Sequence, residues 1–96
     1  MICEGDWVLT NEAIDFIQHD NPQLLRFLLI NKEPQWKEKV GRERKYYMEN
    51  YLSETGVHKV VHKVKSNKVS YKEKGKVHWV DKNDIFLVLR FEHEIY

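Results

Sequence analysis

Over residues 11–56 the apolar positions of this chain are read at helical spacing; after Gly56 the residue preference changes and the period becomes two. Ala13, Phe16 and Ile17, with Ile14 beside them, have the spacing of one buried helical face. Leu24, Leu25, Phe27, Leu28, Leu29 and Ile30 leave almost no polar side, and four leucines without Val or Thr favour a helix over a strand. Such a helix is either buried or an interface. Trp36, Val40, Tyr47, Met48, Tyr51 and Leu52 form a third stripe. After Gly56 valine dominates. His58, Val60, His62 and Val64 point one way, and Val57, Lys59, Val61, Lys63 and Lys65 the other. Val69 and Tyr71 share a face, Lys68, Ser70 and Lys72 take the opposite one, and Val77 and Trp79 alternate with His78 and Val80.

Local punctuation agrees with these periods. Glu4-Gly5-Asp6 reads as a turn before a short strand, and Thr10 or Asn11 can cap the helix that follows. Asn21-Pro22 ends one helix and starts the next, since proline at a first helical position has no N–H to leave unpaired. Lys32-Glu33-Pro34 repeats the signal, Glu38 and Arg42 are a favourable i, i+4 pair, and Gly41 weakens the pattern. Gly56 suits the exit. Ser66-Asn67 and Lys74-Gly75 fit tight hairpin turns. The expected order is a strand over 6–10, helices within 11–56 and antiparallel strands within 57–92, in one domain.

Gly5-Asp6-Trp7-Val8, then Val57–Val64, Lys68-Val69-Ser70-Tyr71 and Lys76-Val77-His78-Trp79-Val80, with Asp81–Ile85 as a short helical turn before a last strand from Ile85 to Phe91, together resemble the SH3-like barrel, particularly its Tudor-like members. The resemblance covers about half the chain. It implies an α+β fold, an SH3-like antiparallel β-barrel whose first and second strands are separated by a helical insertion. Tudor-like domains often bind methylated lysine or arginine in an aromatic cage, for which Trp7, Tyr71 and Trp79 are candidates by residue type.

Charge sharpens this picture more than composition does. The 96 residues carry a net +1, but residues 1–35 come to −4, 36–56 to +1, 57–79 to +6 and 80–96 to −2. Lys59, Lys63, Lys65, Lys68, Lys72, Lys74 and Lys76 are accompanied by a single acid, Glu73. A curved sheet carrying them suits phosphates, with Tyr71 or Trp79 to stack on bases. The plainer explanation is that lysines on strands prevent edge-to-edge pairing. Arg42, Arg44 and Lys45 are diluted by Glu38, Glu43 and Glu49 and read as a solvated helix face.

Other chemistry falls away on spacing. His58 and His62 have a helical zinc spacing, but on a strand their rings stand about 13 Å apart. Asp81-Lys82-Asn83-Asp84 begins like a calcium loop, yet Phe86 stands where glycine is required. Cys3 excludes an internal disulfide and has no catalytic partner near it in sequence. There is no Gly-rich phosphate loop or nucleophile triad, so no enzyme, cofactor or metal is expected. The N-terminus lacks a secretory pattern, and the longest apolar run, Leu24 to Ile30, is seven residues with Arg26 inside it, against about 20 for a span. A cytoplasmic protein without a membrane segment is expected.

Two functions follow. One is non-enzymatic binding of nucleic acid through Lys59, Lys63, Lys65, Lys68, Lys72, Lys74, Lys76, Tyr71 and Trp79. The other is a protein–protein module or homodimer docking through Leu24, Phe27, Leu28, Ile30, Tyr47 and Tyr51, such as a small inhibitor or adaptor of the kind phages and mobile elements encode.

Overall fold

The computed structural model describes residues 2–30 and 42–90, with the side chains of residues 30 and 42–47 outside that description. Within those bounds the fold is α+β, with three α-helices and two small antiparallel sheets. In chain order the elements are β1 (Trp7–Thr10), α1 (Asn11–Asp20), α2 (Pro22–Ile30), α3 (Arg42–Thr55), β2 (Lys59–Val60), β3 (Lys63–Val64), β4 (Lys68–Glu73), β5 (Lys76–Asp81), a 3-10 turn (Lys82–Asp84) and β6 (Ile85–Leu89). The chain divides into two compact units, a helical one over Glu12–Val57 and a β unit built from the segments on either side. No helix among the described residues is long and apolar enough to cross a membrane.

In the helical unit the caps follow the side-chain chemistry. Asn21 donates its backbone N–H to the Ile17 carbonyl at 2.8 Å, closing α1. Its side-chain Oδ1 accepts from the Leu24 N–H at 3.1 Å, capping α2 ahead of Pro22. At the far end Gly56 takes a positive φ of 66° and donates to the Leu52 carbonyl at 2.9 Å. Ala13 and Ile17 of α1, Leu24, Leu25 and Leu28 of α2, and Met48 and Leu52 of α3 are buried. Phe16, expected on the buried face of α1, is 45% exposed. It lies roughly 100° around the helix from the middle of the Ala13–Ile14–Ile17 stripe, at ~100° per residue. The expected start at Pro34, the Glu38–Arg42 pair and Trp36, Val40 and Gly41 lie outside the described residues, as do the side chains of Arg42, Arg44, Lys45, Tyr46 and Tyr47.

The β unit is two three-stranded sheets, with orders β2-β1-β6 and β3-β4-β5. No closed barrel is formed among the described residues; the strands make two separate three-stranded antiparallel ladders, which is the part of the expected α+β barrel fold seen here. The chain passes from one to the other at Val61-His62. There the Val61 N–H donates to the Asp6 carbonyl at 2.8 Å, and the His62 N–H donates to the Ser70 carbonyl at 2.7 Å. Val8, Val61 and Val69 make the core between the sheets, with Ile2, Val80, Ile85 and Val88 packed against them. On its other face β1 aligns Leu9 with Leu87, and both are buried. Both faces of β1 are therefore covered, as its unbroken apolar run Trp7-Val8-Leu9 requires. Val60 and Val64 remain exposed, so on this segment burial falls to Val61 alone.

Lys74 and Gly75 form the β4–β5 turn with φ of 54° and 75°, both positive, as a two-residue turn matching the strand twist demands. A Cβ added at Gly75 meets nothing within 4 Å. Gly75→Ala is expected to cost about 1–2 kcal/mol through backbone conformation alone, measurable as a lowered urea midpoint with an unchanged slope. The expected helical turn before the last strand is the 3-10 turn, opened by Asp81, whose Oδ1 accepts from the Asn83 N–H at 2.9 Å.

Candidate nucleic-acid interface

Register sorts the lysines. In the β3-β4-β5 sheet Lys63 lies opposite Ser70, and Ser70 opposite Trp79; Lys68 faces Asp81, and Lys72 faces Val77. Directly paired residues project from the same face. The Lys65 N–H donates to the Lys68 carbonyl at 2.8 Å, which places Lys65 in the Lys68 row. One face thus carries Lys63, Lys65, Lys68, Lys72, Ser70, Val77, Trp79 and Asp81. Val69 and Val80 turn the opposite face into the core, so the lysine face looks outward.

The other three lysines are elsewhere. Lys76 pairs with Glu73 across the hairpin, in register with the core-facing rows, and Lys74 sits in the turn. Lys59 is held over the Tyr71 ring at 5.0 Å and bonded to the Glu73 carboxylate at 3.2 Å. Alternation along one strand could not reveal this division, which depends on how strands pair.

Trp79 lies among the four lysines. The residue is 43% exposed, with the Lys65 Nζ at 4.4 Å and the Lys68 Nζ at 5.5 Å from its ring centroid. Each such cation–π contact at an exposed site stabilises by about 0.5–1 kcal/mol. Beneath them Ser70 is fully buried, and its Oγ accepts from the Lys63 N–H at 3.1 Å. Val77, 50% exposed, extends the apolar strip along β5. Lys63 also approaches the Glu4 carboxylate at 3.8 Å, a surface ion pair of little strength. The face presents mobile cations around a flat aromatic ring, a surface that can hold an anion and a planar group together.

Tyr71, expected with Trp79 among the nucleic-acid-binding residues, is on the opposite face, opposite His78 in register and stacked on its ring at 5.2 Å and 18°. Tyr71 and Trp79 cannot line one aromatic cage, because the sheet stands between them. Trp7 belongs to the other sheet and stacks on His58 at 3.8 Å between ring centroids. Among the described residues no three His, Cys, Asp or Glu side chains are grouped to hold a metal ion.

The expected protein-docking residues separate as well. Leu24 and Leu28 are buried, which removes them from a docking surface, while Phe27 is half-buried. Tyr51 is half-buried, and its hydroxyl donates to the Asp20 carboxylate at 2.6 Å. The side chains of Ile30 and Tyr47 lie outside the described residues. Leu29, absent from the expected set, is 44% exposed.

One cluster escaped the sequence reading. Asp6, 3% exposed, accepts from Arg90 Nε at 2.8 Å and Nη2 at 2.9 Å, and from the Cys3 N–H at 2.8 Å. Arg90 Nη2 also donates to the Cys3 sulfur at 3.2 Å. This clasp joins the entry of β1 to the exit of β6. Only the acid following Gly5 in the barrel-like opening hinted at it. No family model, curated protein or solved structure matches this chain.

Proposed function

We propose that the protein binds nucleic acid, without catalysing a reaction on it, through the outward face of β3-β4-β5. The observation that carries this reading is the gathering of Lys63, Lys65, Lys68 and Lys72 around exposed Trp79, with Asp81 the one acid in those registers. Phosphates would displace the counterions around these ammonium groups, while the ring supplies a surface indifferent to base identity. We further propose that the two sheets are the halves of an open SH3-like barrel. Support comes from β1 pairing with both β2 and β6, the passage between sheets at Val61-His62, and the 3-10 turn before β6.

Salt-titrated fluorescence anisotropy tests the function. Four phosphate contacts give a log–log slope of about −3.6 on duplex DNA and about −2.8 on a single strand. Alanine at Lys63, Lys65, Lys68 or Lys72 is expected to flatten the duplex slope by about 0.9 each. Alanine at Lys59 or Lys76, on the other face, should leave it unchanged. Absence of a complex at about 50 mM salt, or equal slope losses from both groups of lysines, would overturn the proposal.

A second reading, docking of a protein through the helical unit, is favoured by Phe16 and Leu29, at 45% and 44% exposure. It is the weaker one, because single exposed apolar residues are ordinary on a soluble surface.

A further inference from the structure

We propose that the ligand of the lysine face is single-stranded, with one unpaired base seated flat on the Trp79 indole in place of the Lys65 and Lys68 ammonium groups. This rests on the nucleic-acid reading above and narrows it. Lysines alone would suit a duplex equally well. The exposed indole distinguishes the two, since bases within a duplex are already stacked and offer their edges, whereas an unpaired base offers a free π face.

The ring is occupied in the unbound protein by groups that the ligand can use. Lys65 and Lys68 cover it at 4.4 and 5.5 Å, and a cation–π contact at an exposed site is weaker than base–aromatic stacking. One stacked base gains about as much as the two contacts it replaces, and the balance tips because both displaced ammonium groups then meet the phosphates on either side of that base. Lys63 and Lys72, in the rows of Trp79 and Val77, extend the backbone track along the sheet. Val77 adds apolar contact beside the stacked base or its sugar.

The site accepts one stacked base per protein. Tyr71 cannot provide a second platform from the opposite face, where it is stacked with His78. Among the described residues Trp79 is the only aromatic side chain in the paired rows of this face. Binding is therefore expected to be tolerant of sequence, with recognition limited to the backbone and one π face.

The test compares wild type, Trp79→Ala and Trp79→Phe on homothymidine and homouridine oligonucleotides of about twelve nucleotides and on a duplex hairpin, by anisotropy at fixed low salt. Trp79→Ala is expected to weaken single-strand binding roughly ten- to a hundredfold. It should leave duplex binding and the single-strand salt slope nearly unchanged, and Trp79→Phe should restore most of the loss by returning a ring. A preference between the thymidine and uridine polymers that oligodeoxyuridine, which lacks the 5-methyl group, reproduces assigns the strand to DNA or RNA, and equal affinity for oligodeoxyuridine and oligouridine means that the 2′-hydroxyl is not read. If Trp79→Ala weakens neither polymer, or weakens duplex and single strands alike, stacking is overturned while the lysine reading stands. If wild type binds neither form, both fall. Thermal melts of the variants separate lost folding from lost binding, since Trp79→Ala also removes the ring contacts of Lys65 and Lys68.

Discussion

Arg90→Ala is expected to destabilise the protein by about 3 kcal/mol, more than removal of its partner, because it strands a buried charge. Asp6 is 3% exposed and accepts two guanidinium hydrogen bonds, at 2.8 and 2.9 Å, together with the Cys3 N–H. Without Arg90 the carboxylate stays in the fold with less than it needs. Removing one partner of a buried pair typically costs about 3–5 kcal/mol, and the lower end applies because water can enter where Arg90, 46% exposed on its side chain, has left. Asp6→Ala leaves a different remnant. The guanidinium can return to solvent, so the loss reduces to the hydrogen bonds, about 1–2 kcal/mol. The double variant should then be more stable than Arg90→Ala alone. Urea unfolding of the four proteins gives the cycle. A double variant less stable than Arg90→Ala would mean that the clasp acts through packing rather than through charge.

The second large effect is on binding. Lys63→Ala, Lys65→Glu and Lys72→Glu combined are expected to weaken nucleic-acid binding on the order of a thousandfold, enough to remove a nonspecific complex of ~10⁻⁴–10⁻⁶ M from view. The choice of substitutions follows the register. Lys68 lies opposite Asp81, so an acid there would set like charges face to face and confuse stability with binding. Lys63 is 3.8 Å from Glu4, so it is neutralised rather than reversed. Lys63, Lys65 and Lys72 are exposed, and the fold should hold within about 0.5 kcal/mol at Lys63 and Lys72 and about 1 kcal/mol at Lys65, which loses its contact with the Trp79 ring. A folded triple variant that keeps full nucleic-acid affinity would reduce the lysines to a solvated face and place the nucleic-acid site elsewhere on the protein.

How much of this was legible in the chain depends on the range over which each cause acts. Asn21-Pro22 announced a helix end and a helix start because a side-chain oxygen and a missing N–H act within one turn, and Asn21 does cap α2. Lys74-Gly75 announced its turn because only certain residues adopt positive φ cheaply. The change of period at Gly56 separated helices from strands for the same local reason. The turn at Asp81–Asp84 needed only an Asx side chain near its own backbone.

Tertiary structure decided what depends on partners distant in sequence. Alternation placed Lys68, Ser70 and Lys72 on one face of β4 and Tyr71 on the other, but only the pairing with β5 brought Trp79 to the lysine face. The approach of β2 to β4 set Lys59 beside Glu73 and apart from the four lysines around the indole. Leu24 and Leu28 read as core or interface because an all-apolar stretch carries no mark of what covers it; their burial supplied the answer. Asp6 and Arg90, 84 residues apart, had no pattern to join them. A periodic pattern encodes the direction in which a side chain leaves its own backbone. It does not encode which other backbone comes to lie alongside, and the composition of this lysine face, like the clasp at Asp6, depends on that second fact.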